Sequence, residues 1–398
     1  MTATNRDSSP NDAEDVPVLG ACLDRLRSLT CAKWTRFAPG VLPAWVADMD
    51  LAPAPACVDA VRAMVERGDF GYNFAAECRL AEAFAAWEER RHGWRPEQDE
   101  LRLFCDVMQA VEAALWLHTE PGDGVVVFTP IYPPFLGSVE RNGRRIVECP
   151  LDPDGWRIDP ERLAAAIDPG TRAILLCNPH NPTGRVLDRG ELAAIADVAV
   201  RNALLVISDE IWGDLTHPGA THTPLALLGE EIAARTVTIS AASKAFNLAG
   251  LRCAIAHIGH PAVRSRVQAL PSHLLGAVGS LSAEASLAAW TAGEPWLAAT
   301  TRHLTARRDQ LAARLAADLP EVGFSLPEAT YLAWLDFRPL DLGPDPAEFL
   351  LEHARVALGR GLDFGASGAG FARINFATSA TILDAIVDRI VAVVRKER

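Results

Sequence analysis

The sequence predicts an α/β fold: a large domain with a mainly parallel sheet flanked by helices, plus a smaller α+β domain. Three observations carry that reading. Short apolar, largely β-branched runs stand in the middle of the chain, helical patterns alternate with several of them, and the rhythm changes after residue 291. Taken in order, residues 1–16 are polar and rich in Asp, Asn and Ser, the composition of a disordered tail. Residues 56–67 (ACVDAVRAMVER) repeat at helical spacing, with Pro55 just ahead as a start signal. Residues 79–94 (RLAEAFAAWEERRHGW) form a second amphipathic pattern. The runs at 124–130 (GVVVFTP), 173–179 (AILLCNP), 203–210 (ALLVISDE) and 236–243 (TVTISAAS) are continuously apolar, as strands covered on both faces of a parallel sheet would be. Helical patterns at 107–119 and 191–202 lie before the first run and between the second and third, which is the alternation of an α/β core. Helices are then expected at 280–291 and 296–319. After them come a strand at 331–337, a helix at 347–355, a strand at 371–376 and a terminal helix at 381–394, an order that predicts α+β.

Composition narrows the function classes. The 398 residues carry 38 Lys+Arg against 51 Asp+Glu, a net charge of −13, with 49% hydrophobic and 22% charged residues. That balance is globular, and it offers no basic stripe for a phosphate backbone or an anionic membrane. No apolar run is long enough to span a bilayer. The opening MTATNRDSSPNDAEDVP lacks the apolar segment of a secretory signal, and eight scattered cysteines form no CxxC pair, so the expected compartment is the cytoplasm. No cluster has metal-ligand spacing; His257 and His260 stand three apart without a further ligand nearby, and no metal is expected. Only three lysines occur, Lys33, Lys244 and Lys396, so chemistry that needs an amine has few candidates.

In an open α/β sheet, ligands bind beyond the carboxyl ends of the strands. Asn178-Pro179-His180-Asn181-Pro182-Thr183-Gly184 follows one apolar run, Asp209-Glu210 closes the next, and Ser243-Lys244 follows a third. An amide, a carboxylate and an amine delivered to one edge suit pyridoxal phosphate. Lysine forms a Schiff base with its aldehyde, a carboxylate keeps its ring nitrogen protonated, and an amide bonds its phenolic oxygen. Each piece alone has a plainer reading, as a turn, a strand-end cap or a surface charge; the ordered set does not.

These motifs, NPHNPTG, SDEIW and SAASKAFNLAGLR, resemble the signature series of fold-type I pyridoxal-phosphate enzymes of the aminotransferase class I/II superfamily. PAWVADMD (43–50), FGYNF (70–74), WEERRHGW (87–94), FTPIYPPF (128–135) and EATYLAWLDF (328–337) are similar to the bacterial cystathionine β-lyase-like C–S lyase branch. The resemblance implies a large cofactor domain at 50–290, a small domain at 291–398 joined by the segment 17–49, and a homodimer. It implies that Lys244 is the Schiff-base lysine and proton shuttle, Asp209 the partner of the ring nitrogen, Asn181 the amide at the phenolic oxygen and Tyr132 the aromatic stacked on the ring. Arg252, with the helix start at Val107 and Met108, matches the phosphate site; Arg373 matches the clamp on the substrate carboxylate. Tyr72 matches a tyrosine that reaches the phosphate of the neighbouring subunit.

Three positions depart from the family pattern. Ala241 replaces a phosphate-binding serine, with Ser240 or Ser243 as the available substitutes. Asp106 stands where a glycine usually opens the phosphate helix, so its carboxylate is expected either to turn away or to cap the helix. Trp212 takes the place of a Tyr or His near the phenolic oxygen. The implied activity is α,β-elimination on cystathionine, cysteine or a cysteine S-conjugate, giving pyruvate, ammonia and a thiol. Transamination between an amino acid and a 2-oxo acid is the alternative, and a ligand-sensing regulator without turnover is a more distant one.

Overall fold

A computed structural model of the chain describes residues 22–271 and 273–396; the expected tail, 1–16, lies outside them. The strands are β1 (Leu42–Ala44), β2 (Leu101–Phe104), β3 (Gly124–Val127), β4 (Arg145–Glu148), β5 (Thr171–Cys177), β6 (Leu205–Asp209), β7 (Thr236–Ser240), β8 (Ala254–Ile258), β9 (Gly323–Phe324), β10 (Leu332–Asp336), β11 (Val356–Arg360) and β12 (Phe371–Asn375). Seven of them form one sheet in the order β2-β8-β7-β6-β5-β3-β4. Neighbours from β4 through β7 run parallel, while β8 is antiparallel to both β7 and β2. The apolar runs are continuous because both faces are covered. Val125 and Val127 join one core with Leu175 and Ile207, while Val126 and Phe128 join another with Ile174 and Val206.

The middle helices follow from sequence and caps. Pro55–Arg67 starts on a proline and ends at Gly68, in the left-handed region at φ 66°. The second helix runs Ala76–His92, slightly ahead of the expected 79–94, because Gly93 at φ 70° ends it. Arg189–Arg201 opens on a capping box in which the Asp188 carboxylate accepts from the backbone N–H of Glu191 and Glu191 reaches back. The expected strand at 236–243 stops at Ser240. The chain turns at Ala241 into a single helical turn, Ala242–Ala245, that carries Lys244.

The second sheet has the order β1-β11-β12-β10-β9. β12 is antiparallel to β10 and β11, whereas β1 from the N-terminal segment adds parallel to β11. The helix Ala380–Val394 covers this sheet with Ile382, Leu383, Ile386, Val387, Ile390 and Val394 on one buried face. Each such side chain contributes roughly 1.5–3 kcal/mol on burial. Among the described residues no helix is long and apolar enough to cross a membrane, and no group of His, Cys, Asp and Glu is placed to hold a metal ion. His257 is instead bonded to a carboxylate, its Nε2 lying 2.8 Å from Glu100 Oε2.

Candidate active site

The register of the large sheet sets Cys177 beside Asp209 and Asp209 beside Ile239. The segments after β5, β6 and β7 therefore emerge side by side, and they open into a cavity of about 500 Å³. Asn181, Asp209, Ser243 and Lys244 line it, together with Tyr132, Val107, Met108 and Arg252. Arg373, in the middle of β12, reaches it from the second sheet.

Three ionisable groups dominate this cavity, Asp209 and Arg373 buried and Lys244 partly buried. Asp209 is 4% exposed, and one carboxylate oxygen accepts from the Ile211 backbone N–H at 3.1 Å. Burial raises its pKa from the usual 3.8 to about 7. Lys244 donates from Nζ to the Ala47 carbonyl at 2.8 Å, and burial lowers its pKa, with Asp48 opposing that trend. The amine is thereby moved towards the neutral, nucleophilic form. Arg373 is 6% exposed; Nη1 donates to Asn181 Oδ1 at 2.8 Å and Nη2 to the Trp45 carbonyl at 2.7 Å. Its Nε–H has no partner, and burial lowers its pKa to about 10. None of the three side chains is in an ion pair among the described residues, though a buried charge is costly without one. The cavity thus presents a carboxyl, an amine and a guanidinium, none of them with a charge partner among the described residues.

Asn181 is held by Arg373 through its carbonyl oxygen, which leaves its NH₂ as the remaining function, a donor. Tyr132 sits at the N-cap of Pro133–Arg141 and packs edge-on against Phe135, with ring centroids 5.7 Å apart. Trp212 is buried, edge-on to Tyr331 at 4.9 Å, with the Lys244 amine 5.8 Å from its ring. Of the two serines near Ala241, Ser243 faces this cavity, whereas Ser240 lines a separate one.

Asp106 takes the capping alternative. One oxygen accepts from the Gln109 backbone N–H at 2.8 Å at the start of Val107–His118, and the other bonds Arg252 Nη2. The helix start and Arg252, both expected to face a phosphate, share a carboxylate between them. Tyr72 is the one candidate that the chain does not bring to the cavity. It is 94% exposed and stacked on Phe74 with centroids 5.8 Å apart.

Sequence reasoning singled out residues 43–50 but assigned no role to the segment from Trp45 to Leu51, whose backbone carbonyls are gripped by side chains. Arg373 takes the Trp45 carbonyl; Asn375 takes those of Val46 and Asp48. Tyr331 donates to Ala47 at 2.9 Å, beside Lys244, and Asn247 takes the Met49 and Leu51 carbonyls. Lys33, buried, holds the Asp48 carbonyl at 2.9 Å and pairs with Asp50 at 3.0 Å. The available signal was WVADMD itself, within the stretch 43–50 that carries part of the family resemblance although it offers no evident catalytic side chain.

A model of the family "Aminotransferase class I and II" matches residues 68–390. The chain belongs to that family. Within it, the chain is 36% identical to the cystathionine β-lyase PatB of Bacillus subtilis over 351 residues, covering 87% of this chain and 90% of PatB. It is 33% identical to the cystathionine β-lyase of Corynebacterium glutamicum, covering 93% and 98% of the two chains. Among solved structures, cystalysin of Treponema denticola, which contains pyridoxal 5′-phosphate, superposes with a TM-score of 0.89 at 30% identity, covering 94% of this chain and 97% of that one. For an aminotransferase class I and II chain, a cavity at the carboxyl ends of the parallel strands is where the fold places ligands.

Proposed function

We propose that the chain is a pyridoxal-phosphate-dependent carbon–sulfur lyase that converts cystathionine, cysteine or a cysteine S-conjugate to pyruvate, ammonia and a thiol. The observation that carries the reading is the trio Asp209, Lys244 and Arg373: in no ion pair among the described residues and facing one cavity, with Asp209 and Arg373 buried and Lys244 partly so. The likeness to PatB, to the corynebacterial lyase and to cystalysin supports it.

The residues fit the cofactor. The Lys244 amine suits its aldehyde, the Asp209 carboxylate its protonated ring nitrogen, and the Asn181 NH₂ its phenolic oxygen. Tyr132 offers a ring face, while Arg252, Ser243 and the N–H groups at Val107 and Met108 offer donors for its phosphate. When bound, pyridoxal phosphate supplies the electron sink that makes the α-proton of an amino acid removable. Asp209 would hold a proton at the ring nitrogen. Arg373 would clamp the substrate α-carboxylate, which satisfies its unpartnered Nε–H. The Lys244 amine, its pKa lowered by burial, would take the α-proton and hand a proton to the departing sulfur. Trp212 and Tyr331, both buried and packed edge-on, would exclude water beside the amine.

A homodimer in the cytoplasm, with Tyr72 supplied across subunits, completes the reading. The division into 50–290 and 291–398, with 17–49 serving the smaller domain, belongs to it too; β1 pairing with β11 supports the latter. The test is release of pyruvate and thiol from cystathionine by purified holoenzyme without any 2-oxo acid. Product that appears only with a 2-oxo acid would make the chain an aminotransferase. K244A would abolish the borohydride-reducible adduct, and a persisting adduct would overturn the lysine assignment.

A further inference from the structure

Two strands at the proposed phosphate end of the cavity carry thiols that the reaction does not use. β2 and β8 run antiparallel, with Leu101 opposite His257 and Phe104 opposite Ala254. One step further along the same register, Cys105 stands opposite Cys253. One step beyond that, the Asp106 carboxylate bonds the Arg252 guanidinium. Cross-strand contacts therefore bracket the two cysteines on both sides. Directly opposed residues of an antiparallel pair share a face. The Cys105 N–H donates to Gln109 Oε1 at 2.7 Å rather than across the ladder. That is the closer, non-hydrogen-bonded kind of pair, whose Cα atoms lie about 4.5 Å apart, and a disulfide spans about 4.4–6.8 Å.

Both thiols are free, and they differ in access. Cys105 is half-buried, its Sγ 3.8 Å from the Ala277 carbonyl and 4.0 Å from that of Leu275. Cys253 is 5% exposed and lines the cavity. Burial pushes its thiol up; the Ser286 hydroxyl opposes that rise and the neighbouring Cys105 adds to it. An oxidant thus meets Cys105 first. The chain neighbours of the pair are Asp106, which caps the helix Val107–His118, and Arg252.

We infer that Cys105 and Cys253 form a reversible disulfide site, closed by a peroxide and reopened by a dithiol, that controls how tightly the adjoining phosphate end holds its anion. The Cys105 sulfur attacks one peroxide oxygen and the O–O bond breaks, giving a sulfenic acid and water. The Cys253 sulfur then attacks that sulfur; the S–O bond breaks, and the departing hydroxide takes the Cys253 proton and leaves as water. Two thiols and one hydrogen peroxide give one disulfide and two waters, the sulfurs losing the two electrons that the peroxide gains. Opposed Cβ atoms lie about 4.5–5.5 Å apart across a ladder but about 3.8 Å apart across a disulfide, so closure draws the strands together by about 1 Å. Asp106 and Arg252 are pulled into closer pairing, away from a phosphate. This consequence rests on the pyridoxal-phosphate reading; the disulfide itself does not.

The experiment treats holoenzyme with a few equivalents of hydrogen peroxide, blocks the remaining thiols and maps the digested chain by mass spectrometry. The peptides of Cys105 and Cys253 should appear joined, and dithiothreitol should separate them. In parallel, cofactor release on dilution is followed by absorbance. Oxidised parent should release pyridoxal phosphate about tenfold faster than reduced parent, the scale of one weakened charge-assisted bond. Dithiothreitol should reverse the change. C105S and C253A, each compared with its own untreated form, should show neither the joined peptides nor faster release; C105S, at the half-buried position, decides alone if C253A does not fold. Peptides that stay separate in the parent overturn the site. Joined peptides with unaltered release, or release that quickens equally in C105S, overturn its control of the phosphate end. A parent that holds no pyridoxal phosphate before treatment overturns the cofactor reading, while the joined peptides still decide the disulfide.

Discussion

Burial shifts Asp209 towards its protonated form. Its carboxyl titrates at about 7 in the fold against 3.8 in a free chain, because burial disfavours the charged form. A raised folded pKa stabilises the fold fully below the unfolded value, and this contribution is lost as pH rises through about 7. In protein stripped of cofactor, urea unfolding of D209N relative to the parent should therefore improve by about 2–3 kcal/mol between pH 5 and pH 8. Equal differences at both pH values would mean that burial does not govern this group. Asp106 poses the opposite case, an anion set among donors suited to a phosphate. D106N keeps an oxygen for the helix cap but removes the competing charge. Fluorescence titration should show it binding pyridoxal phosphate about tenfold more tightly, the scale of one charge-assisted bond. Unaltered affinity would mean that the Asp106 carboxylate does not compete. The site's side-chain chemistry was legible in the sequence because Asn181, Asp209 and Lys244 each follow an apolar run. The carbonyls of Trp45, Ala47 and Asp48 were not, since any residue type offers a backbone carbonyl and composition is silent about which ones are gripped.

At the scale of elements, the N-terminal segment is held by one buried ion pair. Lys33 and Asp50 meet at 3.0 Å with both side chains 2% exposed, and the Trp34 indole N–H also donates to Asp50 at 2.8 Å. Removing one partner leaves the other charge buried, so K33A should cost about 3–5 kcal/mol in urea unfolding. The double variant K33M/D50N should recover much of that loss, and a K33A loss below 1 kcal/mol, the scale of a surface pair, would refute the role. Of the three lysines, one thus builds the segment that receives another's amine. The strands divide by a similar logic. β3, β5, β6 and β7 announce themselves because both of their faces are buried. β2 and β4 lie at the sheet edges, and β4 exposes Arg145 and Glu148, so neither shows a continuous apolar run. β8 is as long as β6 and β7, but His257 interrupts its apolar run, a polar ring bonded to Glu100, far off in sequence.

For the whole molecule, the unanswered surface is the stretch around Tyr72. Phe70, Tyr72 and Phe74 are 64%, 94% and 89% exposed, three large aromatics within five positions. Isolated apolar side chains at a surface need no explanation, but a cluster this dense marks a contact. The segment lies against the start of the helix Ser280–Ala292, where the Ser280 hydroxyl donates to the Gly71 carbonyl at 3.0 Å and Arg79 pairs with Glu284. The aromatics are thus presented outward from an anchored base. A second copy of the chain would cover them and carry Tyr72 to the phosphate end of its partner's cavity, where Arg252 is itself largely exposed. Sedimentation velocity should find the parent as a dimer at micromolar concentration and F74D shifted to monomer, because a desolvated carboxylate opposes such an interface. Y72F should remain dimeric yet release pyridoxal phosphate faster on dilution, having lost one hydroxyl donor. A parent that sediments as a monomer, or a Y72F dimer that retains cofactor as the parent does, would remove Tyr72 from the site and leave the phosphate to Arg252, Ser243 and the helix start.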